Sequence, residues 1–185
     1  MTMVLTGANP GVLLKDGGRT TAFASVWQVD WSERGAGRAV VLWHDGRVRL
    51  LGPDPALARW LADTFVRHFG EVDGLPWEPA EVERVEVDLA LDLGTGMVAK
   101  AADVTVELDG VLDRRVFAMD GLTLGGTSYA LSNVYAPCRT ARVTVGGTAV
   151  PGAPDVDEAG DPPASSAFLA VNESWVRSSP AAPRP

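Results

Sequence analysis

Two short runs of this chain place polar groups on strand faces that are otherwise apolar. Glu173 falls between Val171 and Trp175, and Asn133 falls between Leu131 and Tyr135. Residues two apart on a strand share a face. If those faces are buried, a carboxylate, an amide and phenols enter a low-dielectric space. A buried carboxyl group has a raised pKa and can act as a general acid or base. Tyr and Asn side chains can hydrogen-bond a carbonyl or enolate oxygen. On this reading Glu173 and Tyr135 are the candidate catalytic residues. The competing reading is structural: buried polar groups usually satisfy one another or the backbone.

A second group is aromatic. Trp27, Trp43, Trp60 and Trp175, with Tyr129, Leu131 and Asn133, form a candidate ligand-binding set. Aromatic walls with a few fixed polar groups suit a small, largely apolar molecule. The same rings also bury the most area in an ordinary core.

Other chemistries lack their residues. His44 and His68 belong to no metal-ligand spacing, so no metal site is expected. Gly125-Gly126, Gly146-Gly147 and Gly94-Thr95-Gly96 lead into no helix, so they read as turns and not as phosphate loops. No cofactor is expected. Cys138 follows a proline, has no nearby His, and reads as a small buried residue. Asn172-Glu173-Ser174 matches a glycosylation sequon but falls in an expected strand and reads as chance.

The elements that must position these residues are mostly strands. Thr20 to Trp31 alternates, with Phe23, Ser25, Trp27, Val29 and Trp31 on one face. Asp45-Gly46 is a type I′ hairpin signal. It sets His44 opposite Arg47, Trp43 opposite Val48, Leu42 opposite Arg49 and Val41 opposite Leu50. Trp43, Val48, Val41 and Leu50 then face the core, with His44, Arg47 and Arg49 on the other side. Asp54 to Gly70 predicts the one helix, with Asp54 as N-cap, Pro55 at its first position and Gly70 closing it in αL. Leu57, Trp60, Leu61, Phe65 and Phe69 make its apolar face.

Glu81 to Asp92 alternates as one strand with a break near Arg84, and its acidic face holds Glu83, Glu86, Asp88 and Asp92. Met97 to Leu108 reads as the returning strand, followed by a turn at Asp109-Gly110. Arg114 to Asp120 is a further strand, then a Gly-rich bend. Ser128 to Ala136 is a strand that Pro137 stops. Thr140 to Val145 and Thr148 to Val150 flank a tight turn, and Ser166 to Val176 is the last strand.

Eight to ten strands joined mainly by hairpins, with one helix, predict a mainly β, single-domain antiparallel barrel or strongly curled sheet. It is lipocalin-like in outline, with the helix at about 54–69 packed on it. The expected organisation is one domain over 1–177, a mobile loop at 151–163 and a flexible tail at 178–185.

Acidic residues outnumber basic ones, 24 to 16, for a net charge of −8. That disfavours nucleic acid and anionic membranes as partners. No run has the length of a membrane span, and no basic leader precedes an apolar segment. With a single cysteine, a cytoplasmic setting is expected. The usage of Ala, Gly, Arg and Val is that of GC-rich bacterial coding sequence. The composition also admits a homodimer. The leading expectation is binding of a small, aromatic or polyketide-like apolar molecule inside the barrel. The alternatives are a cofactor-free cyclase or isomerase in the same cavity, and an interaction module that uses the acidic face.

Overall fold

The structure is a computed structural model that describes residues 1–77 and 80–176. The chain is mainly β. Its strands are β1 (Thr2–Ala8), β2 (Gly11–Asp16), β3 (Arg19–Ser32), β4 (Gly37–His44), β5 (Arg47–Gly52), β6 (Ala80–Arg84), β7 (Val87–Asp92), β8 (Gly96–Ala101), β9 (Val104–Val111), β10 (Arg115–Leu124), β11 (Thr127–Val145), β12 (Thr148–Ala149), β13 (Val156–Asp157), β14 (Ala164–Ser165) and β15 (Ala167–Val176). One α-helix, α1 (Pro55–Thr64), lies among the described residues.

The large sheet runs in the order β6-β5-β4-β3-β1-β15-β11-β9-β8-β7. Its two ends, β6 and β7, are consecutive in the chain and joined only by Val85 and Glu86. Three Cα steps reach about 11 Å at most, about two strand spacings. The sheet must therefore curl until its ends nearly meet, which makes a ring of strands. The Val85 N–H donates to the Gly52 carbonyl at 3.1 Å. The Arg38 guanidinium donates to the Val87 carbonyl at 3.4 Å. Arg49 on β5 grips Glu83 on β6 through two bonds of 2.7 and 3.1 Å and reaches Asp103, in the β8–β9 turn, at 2.7 Å.

The ring is packed inside with small aliphatic side chains: Val12, Leu14, Ala24, Val26, Leu42, Val106, Cys138 and Leu169 are among them. None of the six tryptophans is in that inner cluster. The helix lies on the outer face of the ring. There Leu57, Leu61 and Phe65 pack with Phe23, Trp27, Val41, Trp43 and Leu50 in a second core. Strands β3 and β4 are thus buried on both faces, where the hairpin pattern placed the core on the side of Val41 and Trp43. The helix and its crossover explain why β6 pairs parallel to β5, since parallel strands need a long connection.

The Asp45-Gly46 hairpin has the register expected from its turn, from His44 opposite Arg47 to Val41 opposite Leu50. Both turn residues have positive φ. The helix is capped by the Asp54 carboxylate, which accepts from Ala56 N and Leu57 N. It ends earlier than predicted. After Thr64 the chain tightens into 3₁₀ turns at Val66–His68 and Gly70–Val72, and Gly70 is not in αL.

Three other differences have local causes. The break near Arg84 separates two strands at opposite ends of the strand order. A hairpin at Ala102-Asp103 divides Met97–Leu108, with Ala102 at φ 50°, and Gly110 is absorbed within β9. Pro137 does not stop β11, which runs for 19 residues. The β10 ladder ends at Tyr135 and the β9 ladder begins at Cys138, so the missing N–H falls between partners.

In segment 151–163, β13 pairs with β14, and Lys15–Asp155 and Arg139–Glu158 ion pairs of 2.8 and 2.7 Å reach it. Residues 178–185 lie outside the described residues. Among the described residues, no helix is long and apolar enough to cross a membrane.

Candidate functional site

Strands β1, β15 and β11 run side by side, and their outer face continues that of β3. Cross-strand register puts Gly7, Asn172 and Asn133 in one row. Leu5, Ser174 and Leu131 form the adjacent row. Asn172, Asn133, Leu5, Ser174 and Leu131, with Trp27 from β3, form the floor of a cavity of about 120 Å³. Phe65 and Phe69, just past the helix, and Leu122 and Leu124 from β10 form its roof. Phe168, Ala170 and Asn9 complete the wall.

The roof is held by contact between two separate parts of the chain. Phe65 meets Trp27 at 5.8 Å, Trp60 edge-on at 5.4 Å and Tyr129 at 5.6 Å between ring centroids. In the β10–β11 turn, Gly125 lies close against His68, where a Cβ would come within 2.6 Å of His68 Nε2, whereas Gly126 faces open space.

Among the described residues, three buried side-chain atoms have no hydrogen-bond partner: Trp27 Nε1, Asn133 Oδ1 and Asn172 Oδ1. All three residues line this one cavity. Trp27 is 3% exposed and Asn133 is 8% exposed. Asn9 differs, since its amide donates to Ser25 Oγ at 2.9 Å and to the Val26 carbonyl at 3.0 Å. The lining contains no ionisable side chain.

The residues singled out from sequence fall in several places. Trp27, Leu131 and Asn133 line the cavity. Trp60 and Tyr129 stand behind it, against Phe65. Burial pushes the Tyr129 phenol above its usual range. Tyr135 stacks on Phe168 at 5.4 Å, lies under Arg115 at 5.0 Å and donates to the Ser165 carbonyl at 3.1 Å. Its pKa is raised, chiefly by burial. Trp43 is elsewhere on the outer core, with Nε1 donating to the Pro76 carbonyl at 2.8 Å. Glu173 is exposed. It alternates with Asn172 and Ser174 and points to the opposite face of β15, with Trp175, which lies in a shallow groove beside Met119 and Ala130. The structure therefore does not bring Glu173 together with Tyr135 or Asn133.

Asn172, Ser174 and Phe168 were not singled out. The spacing held a signal: Asn172 and Ser174 flank Glu173 and must share the face that Glu173 avoids. Leu122 and Leu124 had none, because they reach the cavity only through the β10–β11 pairing. Of the acidic face, Glu83 is committed to Arg49. Cys138 lies in the inner core, where burial pushes its thiol up to about 11. No group of side chains suited to hold a metal ion occurs among the described residues. No family model, curated protein or solved structure matches this chain.

Proposed function

We propose that this protein binds a small, largely apolar molecule in the cavity beneath Phe65, Phe69, Leu122 and Leu124. The observation that supports this is that one space is lined by all three of the residues whose buried polar atoms, Trp27 Nε1, Asn133 Oδ1 and Asn172 Oδ1, are unpaired among the described residues. Each buried polar atom left unpaired costs about 1–3 kcal/mol. Native folds keep few of them, so three around one space set that space apart from the ordinary core. Lining that carries no ionisable group favours reversible binding over a cyclase or isomerase, which must move a proton. The volume of about 120 Å³ holds roughly one six-membered ring, since a cavity of about 150 Å³ accepts benzene.

The curled framework is lipocalin-like in outline, but the ligand lies on the outer face of the ring rather than inside it. A cytoplasmic setting belongs to the same proposal, in keeping with a single cysteine. The test is native mass spectrometry and thermal-shift titration of the parent and of Ala170→Leu, which fills the cavity. A bound small molecule, or a ligand-dependent rise in Tm, that the folded variant loses supports the reading. Equal behaviour of the two proteins with single-ring compounds would overturn it.

A further inference from the structure

We infer that two copies of this chain pair through the open edge of β10, antiparallel and about a two-fold axis at Phe117. Strand β10 is hydrogen-bonded to β11 on one side, and no described residue pairs with it on the other. An open edge presents a row of N–H and C=O groups that another strand can fill in order. The bulge between Asp120 and Leu122 interrupts that row, which leaves 115–120 as the pairable segment. Three strands longer than two residues have a partner on one side alone among the described residues: β6, β7 and β10. β6 carries Glu81, Glu83 and Arg84, and β7 carries Asp88 and Asp92. Charges of this kind discourage a further strand from pairing. β10 differs, because Val116, Phe117, Ala118 and Met119 include no charge and no proline. Val116 is 74% exposed and Met119 is 43% exposed.

The order of residues along this edge selects a second copy as its occupant. Opposed residues of an antiparallel pair share a face, and faces alternate along a strand. A two-fold axis through the sheet must therefore pass beside one residue. Placed at Phe117, it sets Val116 opposite Ala118, Arg115 opposite Met119 and Arg114 opposite Asp120. Apolar residues then meet in the middle, and the arginine end of each strand meets the aspartate end of the other. An axis at Ala118 would set Val116 against Asp120. Parallel pairing in register would stack Arg114 and Arg115 on their own copies, which like charges oppose. The antiparallel contact is isologous, so it closes at two chains and consumes both edges.

Sedimentation equilibrium of the full chain over a wide concentration range tests this. The expected species has twice the mass of one chain. Val116→Lys puts a charge from each copy into the paired segment and should weaken the dimer at least about tenfold. Its far-UV circular dichroism and Tm should match those of the parent, because the side chain it replaces is already exposed. Phe117→Cys brings the same thiol from both copies to the axis. Opposed strand residues have Cα atoms about 4.5–5.5 Å apart, within disulfide reach, so mild oxidation should link two chains. Val98→Cys, at a position 38% exposed on β8, is the control for random collision. The native Cys138 is buried and stays out of the reaction.

A single-chain mass at every concentration overturns the proposal. So does a dimer that Val116→Lys leaves intact, since its contact lies on another surface. Oxidation that links Phe117→Cys no faster than Val98→Cys overturns the register and the axis with it. Assemblies larger than two would show a contact that does not close, and these overturn it as well.

Discussion

Asn133 on β11 lies directly opposite Asn172 on β15, and neither side-chain carbonyl has a hydrogen-bond partner. Antiparallel partners on one face are close enough to share a bound group. The pair sets two adjacent amides into an otherwise largely apolar wall that Trp27 also lines.

That arrangement costs the empty protein stability. Asn133→Leu keeps the volume and removes an unpaired buried acceptor, so it should stabilise the ligand-free protein by about 1–2 kcal/mol. Urea denaturation of the ligand-free protein checks this. A lower midpoint would mean that the amide holds the fold together and is not kept for a ligand.

The row that holds the two asparagines depends on Gly7. Its φ is 153°, and a Cβ there would collide with the Gln28 carbonyl oxygen across the β1–β3 bulge. Backbone cannot move aside as a side-chain tip can. Gly7→Ala should cost about 2–4 kcal/mol, read as a fall in the denaturation midpoint. An unchanged midpoint would mean that the bulge relaxes freely.

The ring is latched near its ends by Arg49, which holds Glu83 and Asp103 together. Hydrogen bonding to Arg49 lowers the Asp103 pKa. A lowered folded-state pKa means that the contribution of Asp103 is fully present above its unfolded value of about 3.9. It is lost as pH falls through the folded value, while Arg49 stays charged. The stability of Asp103→Asn should therefore fall less steeply below about pH 4 than that of the parent. Acid-limb curves of the same steepness would rule out a contribution from the latch.

Cys138 should be inert in the folded protein. Its thiol is buried in the inner core and its pKa is raised to about 11, so little thiolate exists at pH 8. Alkylation by iodoacetamide should be slower than that of the unfolded chain by about two orders of magnitude. Fast labelling without unfolding would show that the inner core opens.

What could be read from the chain was local. Asp54 and Pro55 mark the helix start because capping depends on three or four neighbouring residues. Asp45-Gly46 dictates the β4–β5 register because a two-residue turn leaves no slack. The alternation of β3 separates Phe23, Trp27 and Val29 from Ala22, Ala24 and Val26, and each set does share one face.

Alternation sorts side chains into two faces but does not say which face meets what. On β15 the chemistry seemed to belong with Glu173, yet the cavity lies on the side of Asn172 and Ser174. That choice was made by the helix crossover and by β10, which cover the outer face of the ring from distant parts of the chain. The two-residue link at Val85-Glu86 reads as a break in one strand until β6 is seen paired with β5 and β7 with β8. Sequence alone determined the caps, the tight turn and the division of each strand into two faces, because those depend on neighbours. Only the tertiary structure decided that the sheet curls into a ring, that aliphatic side chains fill its inside, and that the three residues with unpaired polar atoms line one space outside it. Those outcomes depend on pairings between residues far apart in sequence, whose partners no local pattern names.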